Sequence, residues 1–239
     1  MLHRGLAFGL TGISDHIRHL ASGEPVPTSP TTRSAANHDD RNRVWELGLA
    51  AAVSTFAEGV TLKEPDVALT FEGRRVGLAA KVLYSDRSAK LIRRVLEGAR
   101  QIETAPVDHG FVVLNLVQLF PIGRTFANLA RARVSDPATC LQVLDEWART
   151  FFDQHRRSLA TKFRRYPKVK SIISFIPALV PFQGSATPLY RISCTSIEGR
   201  EQDALPFELS FNGAFQQVLA WAEGTSASPD EEPGVPATD

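Results

Sequence analysis

Residues 60–84 read VTLKEPDVALTFEGRRVGLAAKVLY. Two runs rich in Val, Leu, Thr and Phe flank the pair Glu72-Gly73, the pattern of a β-hairpin. The expected strands are Val60–Leu69 and Arg75–Tyr84. Within the returning run the apolar stretch GLAAKVL carries a single charge, Lys81. A lysine is almost never fully buried without a partner. Asp66, 15 residues earlier, can meet it across the hairpin if the register allows.

The neighbouring segments extend this frame on both sides. Asp39 or Asp40 offers an N-cap for a helix running to about Ala57, with Gly59 as its stop. Val44, Trp45, Leu47, Leu49, Ala51, Val53 and Phe56 imply that this helix is largely buried; Glu46 lies among them. Ser88–Glu103 has helical spacing through Leu91, Ile92, Val95, Leu96, Ala99 and Ile102, despite an interior Gly98. Gly110–Leu119 (GFVVLNLVQL) is almost continuously apolar, as expected of a central strand covered on both faces. The expected order is helix, strand, strand, helix, strand. Beyond it the sequence suggests a long helix from Pro137 to about Arg165, strands at Ile172–Ile176 and Leu189–Thr195, and a helix at Ala214–Ala222.

Glu46 on the first helix, Pro65-Asp66 opening the hairpin, Lys81 on the returning strand and Gln101 on the next helix form a set. From about Arg43 to Leu116 the chain resembles the PD-(D/E)XK nuclease superfamily, which includes restriction endonucleases and recombination nucleases. The resemblance implies an α/β fold: a restriction endonuclease-like core, with a mixed central sheet flanked by helices, and an α+β C-terminal extension. It implies magnesium or manganese held by Asp66 and Glu46, and a lysine, Lys81, that positions the attacking water. Gln101 would orient the site. Phosphodiester hydrolysis needs positive charge at the attacking and leaving oxygens, which hard cations on carboxylate oxygens supply. Positions i and i+2 of a strand face the same way, so the acid of (D/E)XK would project beside the lysine.

Here that triplet is Ala79-Ala80-Lys81, and a methyl group ligates no metal. Glu97, 16 residues after Lys81 and one turn before Gln101, shares a helix face with Gln101. It is the candidate for an acid moved onto the helix. The expected function is that of a metal-dependent DNA endonuclease in DNA defence or processing. The alternative is a catalytically inactive nuclease-like module that binds nucleic acid or assembles with protein partners. A toxin or effector acting on another protein is a third reading. The ordinary alternatives for the residues themselves are a solvated Glu46, a turn-forming Asp66, a structural Asp66–Lys81 pair and a solvent-facing Gln101.

The strongest local charge lies between Arg149 and Lys170. Arg156, Arg157, Lys162, Arg164, Arg165 and Lys168 are interleaved there with Phe151, Phe152, Phe163 and Tyr166. Such a segment can track phosphates while its rings stack on bases. Equally, it can be a solvated helix face whose phenylalanines belong to the core.

The chain has 239 residues, 43% hydrophobic and 22% charged, with a formal net charge of +1. That suits one domain with a real core and gives no global basic signature. Cys140 and Cys194 form no CxxC pair and fit reduced thiols of a cytoplasmic protein. The six histidines show no metal-ligand spacing, although His16 and His19 could share a helix face. No GxGxxG, Walker or GxSxG motif is present. The apolar run Ser171–Phe182 is too short to cross a membrane and contains Pro177 and Pro181. The expected division is an N-terminal segment and linker at 1–35, a nuclease-like domain at 36–222 with a basic helix near 149–170, and a disordered acidic tail at 223–239. A homodimer or a protein partner is left open, as is DNA versus RNA.

Overall fold

A computed structural model of the chain describes residues 36–84, 86–119, 128, 137–182, 185–196 and 204–222. The N-terminal segment with His16 and His19, and the acidic tail, lie outside the described residues. The elements are α1 (Ala36–Val53), β1 (Glu58–Thr61), β2 (Val67–Phe71), β3 (Arg74–Val82), α2 (Ser88–Thr104), β4 (His109–Asn115), α3 (Pro137–Asp153), α4 (Arg156–Phe163), β5 (Val169–Phe182), β6 (Ser185–Ser196) and α5 (Ala204–Ala222). The architecture is α/β. The six strands lie side by side in chain order. Antiparallel pairs β1–β2, β2–β3 and β5–β6 flank the parallel pairs β3–β4 and β4–β5.

Strand alternation divides the core in two. Leu78, Ala80, Phe111, Val113 and Ile173 point to one side, where they meet Leu49 and Val53 of α1 and Phe207, Phe211 and Phe215 of α5. Ala79, Val112, Leu114 and Ile172 point to the other, where they meet Leu91, Val95 and Ile102 of α2, Leu144 and Phe152 of α3, and Leu159 and Phe163 of α4. Both faces of β4 are thus dry, which accounts for the unbroken apolar run GFVVL. Phe111 stacks on Phe211 at 4.5 Å, so α5 is anchored through aromatic contact as well as buried area.

The hairpin is β2–β3. Glu72 and Gly73 both have positive φ, 49° and 72°, the backbone that matches strand twist in a tight turn. The expected strand Val60–Leu69 is instead two strands. Between β1 and β2 the chain turns through a cis Glu64–Pro65 bond and Asp66 at φ 128°. Proline has no N–H for a ladder, and the Asp66 N–H is donated to Lys63 O within the turn (2.9 Å).

Two other expectations need correction. The long helix Pro137–Arg165 is α3 and α4, broken near Gln154 and His155, where the His155 N–H turns back to Phe152 O (2.9 Å). Phe152 before the break and Leu159 after it both lie in the core. The strands Ile172–Ile176 and Leu189–Thr195 are longer, and β5 runs through Pro177 and Pro181. The β4 pairing ends at Phe175, so beyond it one side of β5 needs no donor for that neighbour and proline is tolerated.

The spacing between α2 and the sheet is set by glycine. A Cβ on Gly98 would lie 3.1 Å from the Ala79 Cβ and 3.1 Å from Val112 Cγ1. Gly98 thus lets the helix backbone pack close against β3 and β4. The far end of α2 is tied down by Lys168, whose ammonium donates to Glu103 O (3.0 Å) and Ala105 O (2.9 Å). These are carbonyls that a helix C-terminus leaves unpaired. Lys168→Met is expected to lower stability by about 1–2 kcal/mol, readable as a lower urea midpoint with an unchanged slope.

Candidate functional site

The chain bends at Pro65 and places Asp66 just before β2, facing the end of β3. The register that pairs Val67 with Leu78 sets Asp66 beside the backbone of Ala79 and Ala80. Asp66 Oδ2 accepts from Ala80 N (2.8 Å) and Lys81 Nζ (2.6 Å), and Oδ1 accepts from Gln101 Nε2 (3.4 Å). The Lys81 ammonium also donates to Ala80 O (3.1 Å). The two charged side chains are 13% and 14% exposed, so this ion pair is mostly withdrawn from water. Three residues singled out from the sequence, Asp66, Lys81 and Gln101, therefore meet directly.

Burial pushes the Asp66 carboxyl up to about 6, against the opposing pull of Lys81 and the Ala80 N–H; the charge of Glu46 pushes it further the same way. A folded-state value above the ordinary 3.8 means that the folded protein holds this proton more tightly than the unfolded chain. The contribution to stability is then full below about pH 4 and is lost as pH rises through about 6, a change of up to about 3 kcal/mol. Urea unfolding of wild type and Asp66→Asn at pH 4.5 and pH 7 reads this difference. Only the wild type is expected to gain from the Asp66 proton at the lower pH.

A cavity of about 410 Å³ opens beside the trio, where the parallel strands β3 and β4 end. Ligands of open α/β sheets gather at such strand ends. Asn42 and Glu46 come from α1, Ala80, Lys81 and Val82 from β3, and Arg94, Glu97, Arg100 and Gln101 from α2. Bonding to Asp66 turns the Gln101 amide nitrogen inward and fixes the other end as oxygen. Gln101 Oε1 and Asn42 Oδ1 are buried with no hydrogen-bond partner among the described residues, a costly state for an acceptor.

Glu97 lines the same cavity, and its carboxylate is held on its own helix by Arg94 (3.0 Å) and Arg93 (3.6 Å). Ala79 is fully buried, roofed by Gly98, so the position of the usual acid is closed to the cavity. Among the described residues, no three His, Cys, Asp or Glu side chains form a group that could hold a metal ion. Asn42, Arg94 and Arg100 were not expected from the sequence. Helical spacing carried a signal for two of them: Asn42 stands at i, i+4 from Glu46, and Arg94 at i, i+3 and i, i+7 from Glu97 and Gln101.

The basic segment lies across α4 and the turn after it. Arg156, Arg157, Lys162, Arg164 and Arg165 are exposed, whereas Lys168 caps α2. Phe152 and Phe163 are in the core, and Phe151 and Tyr166 pack against it. Of the two readings of these rings, packing is the one the structure bears out. Cys140 is buried and forms no disulfide among the described residues.

Comparison with protein-family models, curated proteins and solved structures found no match. No helix among the described residues is long and apolar enough to cross a membrane.

Proposed function

We propose that the chain has a restriction endonuclease-like core and acts as a metal-dependent nuclease on DNA. The observation that carries this reading is the meeting of Asp66, Lys81 and Gln101 at the end of β3, next to a cavity lined by Lys81, Gln101, Glu46 and Glu97, with Asp66 just behind its wall. The groups that would serve a hard cation here are carboxylate and amide oxygens. Asp66 is a buried carboxylate made harder to ionise by burial and by Glu46, and Gln101 Oε1 is an unpaired acceptor. Magnesium commonly uses only one or two carboxylates and fills its shell with water and phosphate. Asp66 and Glu46 would hold it, with Glu97 as the further carboxylate once released from Arg94. Bound magnesium or manganese would supply positive charge to the phosphodiester under attack.

The chain's own groups have separate tasks in this reading. Lys81 holds the water or a phosphate oxygen at the strand end. Gln101 keeps Asp66 oriented through its amide nitrogen. Arg94 and Arg100 steady the neighbouring phosphates. Cleavage of plasmid and single-stranded DNA with magnesium or manganese tests the proposal. Wild type is expected to cut only with metal, and Lys81→Ala to lose at least about 100-fold in rate. Folded wild-type protein that cuts no DNA form with either metal overturns it.

One observation favours a second reading. Ala79 is sealed beneath Gly98, and Glu97 is occupied by two arginines. A site so built can bind nucleic acid without cutting it, on the same fold. Glu97→Gln separates the two readings within an active protein: lost cleavage with retained DNA binding assigns Glu97 the work of the missing acid.

A further inference from the structure

Between Arg156 and Lys168 the chain carries six cations and no acid. Five of them, Arg156, Arg157, Lys162, Arg164 and Arg165, are exposed. Helix α4 packs beside α2 on the same side of the sheet. The outer face of α2 presents Lys90, Arg93 and Arg100, spaced to share one face with a single acid, Glu97, that pairs with Arg93 and Arg94, and Arg100 also lines the cavity. The cationic surface therefore runs over two adjacent helices and reaches the edge of the site.

The rings decide what kind of polyanion such a surface suits. Proteins that grip single strands combine basic grooves with exposed aromatic platforms on which bases stack. Among the residues whose side chains are described, no Phe, Tyr or Trp is exposed. The aromatics interleaved with the cations are spent on the core, with Phe152 and Phe163 at 2% and 0% exposure. A surface with charge and no stacking platform reads phosphates and not bases.

We infer that the α2–α4 face is a docking surface for duplex DNA, gripped through its phosphates without regard to sequence. This rests on the nucleic-acid reading of the site above and names the surface and the mode of recognition. The duplex lies across α4 and α2, and Arg100 marks where its backbone enters the cavity.

The test is fluorescence anisotropy of the full chain with labelled DNA in EDTA, where cutting does not intervene. Two duplexes of unrelated sequence are expected to bind with equal affinity and tighter than either strand alone. The slope of log affinity against log salt is expected near about −4, the value for four or five neutralised phosphates. Arg156→Gln/Arg157→Gln/Lys162→Gln alters exposed side chains only, and is expected to reduce that slope by about 2 to 3 for both duplexes alike. Single strands bound as tightly as duplex, or a slope unchanged in the triple variant, overturns the inference. Because the assay contains no metal, a failed cleavage experiment leaves it standing. Cleavage by a protein whose binding ignores these cations removes this face and keeps the nuclease reading.

Discussion

Asp66→Ala is expected to lower stability by about 3–4 kcal/mol and to abolish metal-dependent cleavage together. The carboxylate accepts from a backbone N–H, an ammonium and an amide, and alanine takes this acceptor from all three, leaving the ammonium only Ala80 O. Removing one partner of a mostly buried ion pair is costly because the other charge stays behind. Here that charge is Lys81, in a strand whose neighbours Ala80 and Val82 are buried. The double variant Asp66→Ala/Lys81→Met replaces the stranded ammonium with an apolar chain of similar length. It is expected to recover most of the lost stability and none of the activity. Equal unfolding midpoints for wild type and Asp66→Ala would show that the pair contributes nothing to the fold.

The second large effect is expected at Gly110, far from the cavity. A Cβ there would stand 2.3 Å from Ile102 Cγ2 and 2.9 Å from the Gly77 carbonyl oxygen. The first atom belongs to the inward face of α2 and the second to the backbone of the paired strand β3, so neither yields cheaply. Gly110→Ala is expected to cost about 3 kcal/mol, as overpacking against backbone does. Gly73→Ala is the informative contrast. Nothing lies within 4 Å of its added methyl, so only the positive φ is penalised, at about 1 kcal/mol. Thermal unfolding of the two variants separates strain in packing from strain in the turn.

The order of helix, hairpin, helix and central strand was legible because periodicity and turn chemistry agree there. Lys81 in an apolar strand pointed to Asp66, and the two meet. Less legible was the split of Val60–Leu69, since β-rich residues on both sides of Pro65 disguise the turn between them. The break at His155 was hidden because both halves have helical spacing. Gly98 read as a weakness in a helix; it is a point where that helix packs tightly on Ala79. Helical spacing from Glu46, Glu97 and Gln101 could have found Asn42 and Arg94, whereas Arg100 lies on the cavity through the relative placing of α1 and α2, which no local pattern specifies. The expected strand Ile172–Ile176 stops just before Pro177, but β5 runs on through both prolines, having lost β4 as a neighbour where they stand.

Each strand of the sheet lies next to the strand that precedes it in the chain. As the polypeptide leaves the ribosome, every new strand finds its edge already laid, and no earlier strand waits for a distant mate. The elements that carry Glu46, Asp66, Lys81 and Gln101 are all synthesised before α3 begins. Phe56, Phe71 and Phe111 fare differently, because the helix that covers them, α5, comes last. Until it arrives a nascent chain displays an aromatic face, the kind of surface on which chaperones act and unfinished proteins aggregate.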